Sequence, residues 1–154
     1  MRTKHNNADS MDKKTPLNLR FQGARQVMTG ERNLDTLLAA MSPVLIAGEY
    51  VFCSFENSQY GDHPELKPIA ACREPEGLTL VIPKSKADEK GLHYETTHRG
   101  ILLRVHSSLE AVGLTAAFSA KLAEHGISAN VIAGFYHDQI FVQSNHARTT
   151  LAAL

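Results

Sequence analysis

The stretch from Gly100 to Gln143, GILLRVHSSLEAVGLTAAFSAKLAEHGISANVIAGFYHDQIFVQ, constrains the fold more than any other. Ile101, Leu103 and Val105 alternate with Leu102, Arg104 and His106, the pattern of a strand with one buried face. Ser107-Ser108-Leu109-Glu110 matches the S-x-x-E capping box, which predicts a helix over 108–125 closed by His125-Gly126. In that helix Leu114, Phe118 and Leu122 recur at i, i+4, i+8 as a core stripe. Val112, Ala116, Ala120 and Ala123 form a small-residue side that suits close packing on another helix or sheet edge. Ile127, Ala129, Val131 and Ala133 then alternate with Ser128, Asn130, Ile132 and Gly134. A reversal is expected near Tyr136-His137-Asp138, and Ile140–Gln143 returns antiparallel.

Strand, helix, strand, strand is the opening of a ferredoxin-like α+β unit. An Ala/Leu-rich helix over 145–154, capped by Ser144 or Asn145, follows it. A four-stranded unit needs one more strand than this half supplies. The missing strand is expected from the first half or from another chain, because a bare edge of this kind invites aggregation.

The first half has a similar grammar. Leu34, Leu37, Leu38 and Met41 recur at helical spacing behind Asn33, a suitable N-cap, and Ser42-Pro43 stops the run. Glu49–Phe55 is apolar on both sides, as in a strand covered on two faces. Residues 57–68 hold Gly61, Pro64 and Pro68 and read as a loop. Ile69–Arg73 and Leu78–Ile82, joined by Glu74-Pro75-Glu76-Gly77, read as a hairpin. Pro83 suits the first turn of a short charged helix over 84–90, and Gly91 stops it. His93–Arg99 has strand propensity but is strongly polar. Met1–Met28 is polar without period, and is expected to be a disordered tail. The two subdomains are therefore placed at 29–95 and 96–154.

Composition narrows the function classes. The 154 residues carry 16 basic and 16 acidic side chains and no Lys/Arg block, so neither nucleic acid nor an acidic membrane is an expected partner. Aromatics are sparse and Trp is absent, which disfavours a base-stacking platform. No run approaches the roughly 18 apolar residues of a membrane span, and the N-terminus is polar where a signal peptide is apolar. A cytoplasmic protein is expected. Cys53 and Cys72 fall on separate strands without CxxC spacing, and are read as reduced, half-buried thiols.

HSSLEAVGLTAAFSAKLAEHGISANVIAGFYHDQIFV resembles an ACT domain, in which a glycine-bearing turn leads into a helix and an L-x-x-x-G-I-x link leads to the second strand. Gly113 matches the turn glycine, and Leu122, Gly126 and Ile127 match the link. MSPVLIAGEYVFCSF with REPEGLTLVIP resembles the N-terminal part of small bacterial tandem ACT-domain proteins. The second half is also similar to the ACT units of aspartate kinases and of cytosolic arginine sensors. The resemblance implies an α+β architecture: two ferredoxin-like ACT subdomains with antiparallel sheets and helices on one face. It implies a non-enzymatic regulatory protein, often a homodimer, that binds a small molecule, usually an amino acid, between ACT units beside the turn glycine. The chain departs from the usual Asp/Asn-x-Pro-Gly turn, where His106–Gly113 stands instead.

The residues support such a site on their own chemistry. A helix start offers unpaired N–H groups to a carboxylate, and Gly113 permits close approach. Glu110 or Asp138 offers a partner for an ammonium. The candidate ligand-binding residues are Ser107, Ser108, Glu110, Val112, Gly113, Leu114, Ser128, Asn130 and Asp138. Plainer duties compete: capping for Ser107 and Glu110, tight helix packing for Gly113, solvent exposure for Ser128 and Asn130. No cofactor is implied. His106, His125 and His146 lack metal-ligand spacing. His137 and Asp138, as neighbours on a strand, point to opposite faces and make a poor acid–base pair. Ser107 lacks a G-x-S-x-G elbow. A ligand-free module that dimerises or docks a partner enzyme is the alternative reading.

Overall fold

The structure, a computed structural model, describes residues 30–105 and 112–154. Helix α1, Leu34–Ala40, starts where the Asn33 carboxamide accepts the Thr36 N–H at 3.0 Å. This is the capping geometry that the sequence suggests, and the one fully buried residue of α1 is Leu37. Asn33→Ala is therefore expected to cost about 1 kcal/mol, read as a lower midpoint in urea.

Seven strands follow: β1 Pro43–Leu45, β2 Tyr50–Phe55, β3 Ala70–Glu74, β4 Gly77–Pro83, β5 His98–Leu103, β6 Ala129–Ile132 and β7 Asp138–Gln143. The remaining helices are α2 Lys84–Lys90, α3 Leu114–Glu124 and α4 Ala147–Ala153, with 3-10 turns at Pro64–Leu66 and Ser144–His146. Strands run in the order β3-β4-β2-β5-β7-β6 in one antiparallel sheet, with β1 also paired to β5. The β3–β4 hairpin closes at Glu74 opposite Gly77. Gly91, with φ of 63°, ends α2 in the left-handed conformation, its N–H on the Ala87 and Asp88 carbonyls.

The strand that the second half lacks is β1. Pro43, Val44 and Leu45 lie opposite Leu103, Leu102 and Ile101. The order β1-β5-β7-β6 is thereby a complete four-stranded ferredoxin-like sheet assembled from both halves. The sequence pattern assigns Pro43 only to stopping α1; at the first position of a strand its missing N–H costs little.

Between β1 and β2 the chain leaves the ladder. Ile46 N–H still bonds Gly100 carbonyl at 2.8 Å, and the next pair is Tyr50 opposite His98. Ala47, Gly48 and Glu49 thus face Arg99 alone, a bulge of three residues against one, with Gly48 at φ of 84°.

Both cores lie on one face of the sheet. Leu37 of α1, Leu114, Phe118 and Leu122 of α3 and Ala147 of α4 pack on Ile101, Leu103, Ile140 and Val142. Ala87 of α2 and Leu66 pack on Val51, Cys53, Leu78, Leu80 and Ile82. The alternate residues Tyr50, Val81 and Phe141 form a third cluster on the opposite face. Burial of each such Leu, Ile or Phe side chain stabilises by roughly 1.5–3 kcal/mol.

Two expectations need correction. Helix α3 begins at Leu114, with Gly113 at φ of 102° in the N-cap position, rather than at 108. Ser107, Ser108 and Glu110 lie outside the described residues, and the capping box does not mark this helix start. The thiols differ from the half-buried pair expected: Cys53 is buried and Cys72 exposed, both free. Burial pushes the Cys53 thiol up, away from thiolate character.

Candidate functional site

Strand β5 ends at Leu103 opposite Asp138, the first residue of β7. At this same end of the sheet the chain passes through Val112 and Gly113 into α3. Gly113 sits against α1: a Cβ there would lie 3.1 Å from Leu34 Cδ2, so the turn glycine is where a helix of the first half meets the second. Among the described residues no side chain caps the start of α3. Its first N–H groups have no acceptor within the helix itself.

The β6–β7 hairpin closes this end. His137 Nδ1 lies 3.3 Å from the Val105 carbonyl, so Nδ1 carries the proton and donates. Asp138 is buried, at 9% exposure. Burial raises its carboxyl above the usual carboxylate range, while the Gly134 N–H and the neighbouring His137 partly counter this. Among the described residues Asp138 makes no salt bridge. Phe135 and Tyr136 at the hairpin tip are 52% and 47% exposed, their rings edge to face.

The structure brings Val112, Gly113, Leu114 and Asp138 to one end of the second half and sets Ser128 and Asn130 apart. Asn130 is opposite Phe141, on the face away from the helices, and β6 starts at the far end of the sheet from Asp138. Both residues are exposed. Leu114 is buried in the core and Val112 is 85% exposed. The sequence analysis gave no role to Leu34 against Gly113 or to His137 on Val105. Both contacts join distant segments, so no local pattern announces them.

Other grooves lie elsewhere. One of about 410 Å³ lies between the 47–49 bulge and the start of α2, and one of about 250 Å³ runs between α1, α3 and α4. Lys84 and Asp88 line the first and pair with each other; Lys84 lies 5.6 Å from the Tyr94 ring centroid, and Tyr94 donates to Asp88. Among the described residues no His, Cys, Asp or Glu group of three or more is placed to hold a metal ion, and no helix is long and apolar enough to cross a membrane.

Two segments match the sequence profile of the ACT domain, residues 29–99 and residues 95–154. A crystal structure from Vibrio cholerae, of a protein of unknown function described as a possible transport protein, is 57% identical; the match covers 78% of this chain and 91% of that one, with a TM-score of 0.71. The chain belongs to the ACT-domain family. An Agrobacterium tumefaciens protein shares the fold at 15% identity and a TM-score of 0.62, over 73% of this chain and 85% of its own. The aspartate kinase of Clostridium acetobutylicum does so at 10% identity and 0.52, over 73% of this chain but 33% of the kinase. No curated protein matches the sequence.

Membership fits the geometry described. The two ACT matches overlap at residues 95–99, where the chain enters β5, the strand that pairs with elements of both halves. ACT domains are regulatory units that often bind amino acids.

Proposed function

We propose that this ACT protein is a non-catalytic cytoplasmic regulator that binds a free amino acid where Gly113 opens α3 and Asp138 opens β7. The observation that carries this reading is Asp138, a buried carboxyl group with no salt bridge among the described residues, at the same end of the sheet as a helix start that no described side chain caps. A zwitterion complements such a pair: its carboxylate takes the α3 N–H groups and its ammonium offsets the cost of ionising Asp138. Val112 stands exposed beside this place, and Leu114 is buried in the core next to it. Ser128 and Asn130 belong to this site only if a second copy supplies them, as in a homodimer.

The test is thermal unfolding with each common amino acid in turn. At a hundredfold excess over Kd, binding stabilises by about 2.7 kcal/mol, which raises Tm by about 5–10 °C in a chain of this size. Asp138→Asn is expected to abolish the response. It is also expected to keep or raise intrinsic stability at neutral pH, because a carboxyl raised by burial favours folding below the unfolded value and loses that contribution as pH rises through the folded one. No shift with any amino acid in the unaltered protein would overturn the proposal.

One observation favours the alternative, a ligand-free module. The small-residue side of α3 is open, with Val112, Ala116, Ala120 and Ala123 all exposed. Molar mass in solution, for the unaltered protein and for Ala120→Glu, separates the readings: a dimer broken by that substitution, without any amino-acid response, supports the module.

A further inference from the structure

The two parts of the sheet join through a contact one residue pair wide. Among the described residues Tyr50 opposite His98 is the one register pair between β2 and β5, and the 47–49 bulge interrupts the ladder beside it. His98 projects from the face opposite the helices, at 7% exposure. Its ring meets Phe52 edge to face, with centroids 5.1 Å apart; Phe52 is 6.0 Å from Phe141, and Phe141 is 5.7 Å from Tyr50. The imidazole therefore plugs an aromatic cluster drawn from both halves. Among the described residues no group meets its buried Nδ1 in good hydrogen-bond geometry, and the Thr96 carbonyl is the one backbone group that bears on the ring.

Among the described residues the surroundings of the ring hold no counter-charge. Strand β2 presents Tyr50, whose hydroxyl donates to the Ala47 carbonyl, and Phe52. Strand β4 presents Val81, and β7 presents Phe141 and the register partner Gln143. On β5 itself Gly100 shares the face, and Arg99 takes the other. Glu95 and His93 line a groove beside Phe52, but no charged side chain contributes to the shift of the ring.

We propose that His98 is a proton-operated latch on this joint: the neutral ring seals the cluster and holds β2 to β5, and protonation parts the joint while the two helix-covered cores stay folded. A cation has no place in that cluster without a carboxylate, so a charged imidazole leaves it for water. Burial already pushes the imidazole below its ordinary range, with the Thr96 carbonyl countering part of this. The open form binds more protons, so closure is fully favoured above the ordinary histidine value of about 6.5 and is lost as pH falls through the lowered one.

Hydrogen exchange on the full chain at pH 7.5 and pH 5, corrected for intrinsic rates, tests this. Segments 46–55 and 96–103 are expected to exchange about tenfold faster at the lower pH, as sub-global opening allows, while 114–124 stays protected. His98→Phe is expected to remove the difference. Equal protection of the joint at both pH values, or an acid effect that survives in the variant, would sink the proposal. Should the variant not fold, NMR titration of the unaltered protein decides: a His98 titration without accompanying shifts at Phe52 and Phe141 overturns it.

Discussion

Phe118→Ala is expected to lower the free energy of unfolding by about 3–5 kcal/mol. Phe118 is 1% exposed, at the centre of α3, and its cluster draws on α1, α3, α4 and four strands. Phe118 also borders the groove between α1, α3 and α4, so part of the space left by truncation can open to that side, which places the cost towards the lower end. Domains of this kind are stable by about 5–15 kcal/mol, so the variant is expected to approach the threshold of folding. Urea unfolding at constant m reads the difference directly. Ala120→Ser, on the exposed side of the same helix, is expected to stay within about 0.5 kcal/mol. A Phe118 variant no weaker than that control would mean that α3 does not anchor the second half.

Gly134→Ala is the second large effect, and it acts on stability and site together. A Cβ at Gly134 would lie 2.3 Å from the His137 carbonyl oxygen, a backbone atom that cannot turn aside. The hairpin has to open instead. That movement withdraws the Gly134 N–H from Asp138 and strains the His137 bond to Val105. The expected cost is about 2–3 kcal/mol, together with loss of any amino-acid response. Gly126→Ala is the comparison. Gly126 has φ of 67° but open space around it, so only the left-handed conformation is penalised, at about 1–2 kcal/mol. Equal costs at the two glycines would show that the hairpin backbone yields freely, contrary to the packing described.

Elements written by local chemistry were legible in the sequence. The Asn33 cap, the β3–β4 hairpin with its Gly77 turn, and α2 with its Gly91 stop depend on residues close in the chain, and all three are present. The stripe of Leu114, Phe118 and Leu122 was legible because helical periodicity and burial agree. Misreadings arose where a distant partner decides. Pro43–Leu45 is a strand because Ile101–Leu103 lies beside it, and nothing in three residues says so. Ser107–Glu110 carries a helix-start pattern, yet α3 starts at Leu114 behind Gly113, whose positive φ and place against Leu34 are products of tertiary packing. The candidate site divides in the same way. Gly113 and Asp138 reach one end of the sheet because a strand-helix-strand-strand order puts them there. Ser128 and Asn130 sit by a strand that starts at the opposite end, which the alternation of residues alone did not reveal.

The loan of β1 to the second sheet has a consequence for how the protein emerges from the ribosome. Strands β2, β3 and β4 with α2 can close as soon as residue 91 is out, since their pairings are local. Helix α1 and β1 are made before any of them, yet their partners β5 and α3 are made after. The α1–β1 segment, made before the first unit, is thus placed after it, and it waits through the closure of that whole unit. Once residues up to 91 have left the exit tunnel and before residue 98 has done so, the first unit can be closed while β1 and the apolar side of α1 still lack their partners. A nascent-chain chaperone has most to protect in that interval.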